Sequence, residues 1–162
     1  MANKNYLHID PVGQLDPFAC WAACLKWWLK AKRSISKSQR SIINKYEYLT
    51  NSDGTMTYDG IEWIIVDNNM YIENHARAST FTSDAVKKLL KFGPIFTAYT
   101  ETSLQMSHVN VIYGITGSGN SAQVSVMEPQ AVQKSDWSYK GKHLKKSLSE
   151  FNQLGEVILG HG

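Results

Sequence analysis

The sequence predicts an α+β fold, and three features carry that expectation. Helix signals fill the first part of the chain, Gly93-Pro94 marks a change of texture, and β-branched runs dominate after it. Helices gathered ahead of an antiparallel sheet characterise α+β proteins, whereas alternation of helix and strand would indicate parallel βαβ units. No repeat, low-complexity tract or interdomain linker interrupts residues 1–162, so one domain is expected.

The strongest helix signal runs from Phe18 to Lys32, where an apolar stripe lies on helix-forming residues and Pro17 stands just upstream as an entry residue. Ser36 to Leu49 reads as a more polar helix and Tyr58 to Asn68 as a third, separated by the loop signal Asn51-Ser52-Asp53-Gly54. Ser83-Asp84 opens a short helix that runs to Phe92 and stops at Gly93-Pro94. Strands follow at Ile95 to Tyr99, Val109 to Ile115, Ala122 to Met127 and Val157 to Leu159. The second and third of these flank Thr116-Gly117-Ser118-Gly119-Asn120 and form a predicted β-hairpin. Ser147 to Gln153 is expected to add a last short helix.

Composition narrows the function classes. With 43% hydrophobic and 19% charged residues the chain can enclose a core and support a cleft. Its net charge of +3 is small, and the basic residues are scattered apart from loose groups at Lys26–Arg40 and Lys140–Lys146, so nucleic acid is not an expected partner. No stretch approaches a membrane span and the first residues lack the apolar run of a signal peptide, so the chain is expected to begin in the cytosol, with export by a signal-independent route left open. The two cysteines, Cys20 and Cys24, lie four apart on one predicted helix and would close a very short loop, so free thiols are expected.

The chemistry gathers around Cys20. A thiolate is stabilised at the first turn of a helix, where unpaired N–H groups and the helix dipole favour negative charge, and Cys20 stands at such a start. A thiol nucleophile also needs an imidazole to take its proton and a carboxylate or amide to orient that imidazole. His108, at the start of an apolar strand, fits the first part. The hairpin returns Glu128 beside it, 20 positions later. Gln14, six positions before Cys20, is placed to donate its amide to a developing oxyanion together with the Cys20 N–H.

These residues carry a family resemblance. Gln14-Leu-Asp-Pro-Phe-Ala-Cys20-Trp21-Ala22-Ala23 resembles the nucleophile segment of papain-like cysteine peptidases, in which glutamine precedes a Cys-Trp-Ala helix start by six residues. His108 to Gly114 and Val124 to Pro129 are similar to the later histidine and acid segments. The compact layout resembles two bacterial branches, the bacteriocin-leader-processing peptidases and the AvrRpt2-type effector proteases. The resemblance implies a papain-like fold, cleavage of peptide bonds in a protein or peptide substrate, and no cofactor. The resembled families carry Asn or Asp where this chain has Glu128, and Asn110 or Gln130 are alternatives for orienting His108.

Other residues have plainer readings. Cys24 is a small core hydrophobe. Trp21, Trp27 and Trp28 form core and cleft wall, with Trp21 the candidate to touch substrate. Tyr58, Tyr99, Trp63 and Trp137 are candidates for an apolar pocket. His8, His75, His143 and His161 show no metal-ligand spacing, so no metal is expected. Gly117-Ser118-Gly119 lacks the Lys-Ser/Thr ending of a phosphate loop and reads as a turn. The resemblance to effector proteases suggests a secreted bacterial toxin, which leaves room for a cognate immunity or inhibitor protein. Peptidoglycan stem-peptide cleavage and glutamine deamidation would use the same groups, and a silent binding module on this scaffold is the contrasting class.

Overall fold

A computed structural model describes residues 6–75, 80–101, 106–152 and 156–162. Among the described residues, five α-helices and six strands follow in the order α1 (Cys20–Arg33), α2 (Gln39–Tyr46), α3 (Tyr58–Asp67), β1 (Tyr71–His75), α4 (Ser83–Leu90), β2 (Ile95–Glu101), β3 (Met106–Thr116), β4 (Gln123–Gln133), β5 (Tyr139–Ser147), α5 (Leu148–Asn152) and β6 (Val157–His161). The expected second helix ends early and tightens into a 3₁₀ turn at Glu47–Leu49. A second such turn, Gly119–Ser121, closes the β3–β4 hairpin. Of the last predicted helix, Gln153 lies outside the described residues.

All pairings in the sheet are antiparallel, in the order β1-β6-β2-β3-β4-β5. Two strands are absent from the expected set: β1, which falls between α3 and α4 and breaks the order of helices first, and β5, which lies between β4 and α5. Both are edge strands of polar composition, Tyr-Ile-Glu-Asn-His and Tyr-Lys-Gly-Lys-His-Leu-Lys-Lys-Ser, so they lack the apolar run that marks a central strand. Lysines on an exposed edge discourage pairing with other chains, and that is what β5 carries.

Alternation along the strands divides the core in two. Phe96, Ala98, Val109, Val111, Met127 and Ile158 face α1, α2 and α3, where Trp27 and Trp28 are fully buried. Ile95, Tyr99, Ile112, Val124, Val126, Val157 and Leu159 face the opposite way, against residues of α4 and α5. Successive side chains of a strand point to opposite faces, so a sheet covered on both sides reads as a continuous apolar run. That is the pattern of β2, β3 and β6.

The helix ends explain their boundaries. Ser38, Thr57 and Thr82 cap α2, α3 and α4, accepting from the N–H groups of Ser41, Gly60 and Ala85. α1 differs, because its N-cap Ala19 offers no side-chain hydrogen bond and its first turn holds no acidic residue. The N-terminal segment then crosses to the far edge of the sheet: Gln14 N–H donates to Pro129 O at 3.1 Å and Tyr139 N–H donates to Gln14 O at 2.8 Å. It meets β4 where the β4–β5 register shifts, between Glu128 and Val132. No helix among the described residues is long and apolar enough to cross a membrane.

Candidate active site

Cys20 is the first residue of α1, and its side chain is buried at 6% exposure. His108 lies near the start of β3, opposite Tyr99 near the end of β2. Glu128 sits inside β4 rather than at a strand terminus, next to the register pair Val111–Met127. Alternation places His108 and Glu128 on the same side of adjacent strands. Their contact is direct: His108 Nε2 lies 2.8 Å from Glu128 Oε2. Nδ1 is thereby left free of Glu128, and Cys20, on the same cleft, lies near enough to favour the charged imidazole. Cys20, His108 and Glu128 line one cleft of about 360 Å³, shared with Phe18, Trp21 and Lys146.

The electrostatics follow from the contacts. Burial works against a charged His108, but the nearby Cys20 and the hydrogen-bonded Glu128, with their charges, outweigh it and raise the imidazolium to about 10. Burial likewise works against a charged Glu128, yet His108 and Lys146 hold its carboxyl down at about 2. A thiol beside an imidazolium that a carboxylate supports can act as a nucleophile at neutral pH. Cys24, one turn on, is wholly buried, donates from Sγ to Val109 O at 3.3 Å, and is pushed well up by burial and then by the charges of Cys20 and Glu128. The two thiols therefore differ in place: Cys20 lines the cleft with His108, and Cys24 is enclosed in the core.

Gln14 is fully buried. Its Nε2 donates to Asp16 O at 2.9 Å, and its Oε1 has no partner among the described residues. It is not among the residues that line the cleft. Asp16 organises the approach to α1, since Oδ1 accepts from Phe18 N–H at 2.8 Å and its carbonyl accepts from Ala19 N–H.

Neither alternative orienting side chain hydrogen-bonds His108. Asn110 Nδ2 donates to Tyr99 OH at 3.2 Å, and Gln130 contributes its backbone N–H to Glu128 Oε2 at 3.2 Å. Trp21 is on the cleft wall and meets the Tyr46 ring edge-on, whereas Trp27 and Trp28 are core and donate to the Ile9 and Pro94 carbonyls. Of the residues expected to form an apolar pocket, Tyr99 lines the cleft, its ring edge-on to His108 at 5.5 Å. Tyr58 is not among the lining residues, and Trp63 and Trp137 are exposed on the surface. Among the described residues no group of three or more His, Cys, Asp or Glu could hold a metal ion.

The residue without a sequence forecast is Lys146. Its Nζ lies 2.6 Å from Glu128 Oε1, so the carboxylate is held by a cation at each oxygen. The signal available is weak: Lys140, Lys142 and Lys146 recur at even positions around Leu144, a period that suggests a strand and places them on one face.

The family described as papain-like cysteine protease AvrRpt2 matches residues 8–154. No curated protein matches the chain. The peptidase domain of Streptococcus ComA, a bi-functional ABC transporter involved in a quorum sensing pathway, is similar at TM-score 0.61 and 18% identity, over 96% of this chain and 100% of that one. A double glycine motif protease from an AMS/PCAT transporter, solved with the leader peptide, is similar at TM-score 0.57 and 16% identity, over 94% of this chain and 92% of that one. The peptidase domain of Streptococcus mutans ComA is similar at TM-score 0.51 and 17% identity, over 94% of this chain and 99% of that one. At these identities the structural likeness is one of fold.

Proposed function

The chain belongs to the papain-like cysteine protease family described for AvrRpt2, and on that premise we propose that it cleaves peptide bonds in a peptide or protein substrate with Cys20 as nucleophile, His108 as acid and base, and Glu128 as the group that orients His108. The Cys20 thiolate attacks the scissile carbonyl carbon, and the carbonyl electron pair moves to oxygen. The Cys20 backbone N–H stabilises that oxyanion, and the second amide hydrogen of Gln14, the one not used on Asp16 O, joins it once that buried side chain turns toward the cleft. Collapse expels the amine, which takes the Nδ1 proton of His108 and leaves a thioester on Cys20. A water molecule then gives its proton to His108, attacks the thioester, and releases the acid with the thiolate restored.

The observation that most supports this reading is the shared cleft: one nitrogen of the His108 ring is 2.8 Å from Glu128, and the thiol of Cys20 at a helix start lines the same cleft and favours the charged ring. Iodoacetamide labelling at neutral pH tests it. Cys20 should react about a hundredfold faster than the buried Cys24, and Cys20→Ala should lose both the fast phase and peptide turnover while keeping the fold. Equally slow labelling of both thiols would eliminate the peptidase reading.

A further inference from the structure

We propose that Lys146 is a positioning residue of this site, its ammonium fixing one oxygen of Glu128 so that the other faces His108. The proposal takes the Cys20–His108–Glu128 reading as its premise and concerns how the acid is held. Glu128 Oε1 lies 2.6 Å from Lys146 Nζ, while Oε2 lies 2.8 Å from His108 Nε2 and accepts from Gln130 N–H at 3.2 Å. Each carboxylate oxygen therefore has an assigned cation, and a backbone donor braces the one that faces the imidazole.

Register makes this arrangement specific. The lysine directly across from Glu128 on β5 is Lys142, and it is exposed, whereas Lys146 pairs with Val124. Lys142, Leu144 and Lys146 share a face of the strand, and Lys146 reaches along it into the cleft, where its side chain is 24% exposed. A glutamate has one more rotatable bond than the aspartate or asparagine of the resembled families, so it needs a second anchor to hold one geometry. A carboxylate buried as deeply as Glu128 is also costly if one oxygen loses its partner, and it would then turn toward solvent or take up a proton.

Titration of the His108 imidazole by NMR in histidine-labelled protein tests the proposal without a substrate. Lys146→Met should lower the His108 midpoint by about one pH unit or more, because a released Glu128 no longer supports the imidazolium. Lys146→Arg, which keeps the charge and donors, and Lys142→Met, which removes the register partner, should both leave the midpoint in place. If Lys146 were only a nearby positive charge, its removal would raise the midpoint. A rise, or no change, in Lys146→Met overturns the proposal. Lys146→Leu, which likewise removes both the charge and the donors, carries the same expectation if the methionine variant does not fold. Failure of the fast iodoacetamide phase in the wild-type protein would sink the peptidase reading and leave this titration readable.

Discussion

His108 owes its charge to its neighbours. An imidazole this buried would lose its proton below the ordinary value, and it stays protonated to about 10 only because the thiol and the carboxylate both favour the cation. Substituting Glu128→Gln removes the carboxylate but keeps the side-chain shape. The imidazolium should then lose its proton at much lower pH, so the basic limb of the turnover profile should move from near pH 10 toward or below neutrality. The linkage to stability has the same origin. The raised His108 contributes stability that is fully present below its unfolded value near 6.5 and is lost as pH rises through about 10. The depressed Glu128 contributes stability present above its unfolded value near 4.3 and lost as pH falls through about 2. Glu128→Gln should therefore lower stability most between the two unfolded values, about pH 4.3 to 6.5, and approach the wild type toward pH 2 and pH 10 in thermal melts, and an unshifted basic limb of turnover would show that His108 draws its charge from elsewhere. Cys20, His108 and Glu128 were legible because local sequence carries their placement: a helix start and a hairpin returning the acid beside the base. Lys146 was not, because its register partner is Val124, and its long side chain meets a carboxylate four positions further along β4.

At the level of elements, α1 joins chemistry at one end to an unusual stop at the other. Lys30, Lys32 and Arg33 in its last turn complement the dipole, and the Arg33 guanidinium lies over the Trp28 ring at 5.1 Å. The helix then closes with Ser34 N–H donating to Lys30 O and Ile35 N–H donating to Leu29 O, which requires Ser34 to adopt φ 56°. Left-handed backbone is a position for glycine, and a serine there carries steric strain. Ser34→Gly should stabilise the protein by about 0.5–1 kcal/mol, seen as a Tm rise of about 1–4 °C, with labelling of Cys20 unchanged because the other end of α1 is untouched. A lowered Tm would mean that the serine hydroxyl contributes more than the strain costs. The same scale explains which elements the sequence announced. α1 to α4 and the central strands carry strong apolar periods, and three of the four helices carry Ser or Thr caps. β1 and β5 pair on one side only, so selection for polar edges erases the alternation by which strands are recognised.

For the whole molecule, the cleft depends on a segment with no regular secondary structure. Residues 12–15 lie against β5 so closely that side chains are excluded on both sides: a Cβ at Gly13 would stand 1.7 Å from Tyr139 O, and one at Gly141 would stand 2.5 Å from Val12 O. Both obstacles are backbone, which cannot swing aside as a side chain would. The contact matters because the next residue, Gln14, exchanges hydrogen bonds with Pro129 and Tyr139, and Pro129 directly follows Glu128. Gln39 ties the same segment to α2, accepting from Leu15 N–H at 3.0 Å and donating to Gly13 O at 2.9 Å. The segment thus links the helix that bears Cys20, the strand that bears Glu128 and the strand that bears Lys146. Gly13→Ala should force this segment off β5, with a loss of about 1–3 kcal/mol and a Tm lowered by several degrees. The displacement should also slow iodoacetamide capture of Cys20 at temperatures where the variant remains folded, since Gln14, Asp16 and the entry to α1 move with it. A Gly13→Ala protein with unaltered Tm and unaltered labelling would mean that the chain relaxes around the new methyl group at no cost, and that the approach to α1 holds its place without the clamp on β5.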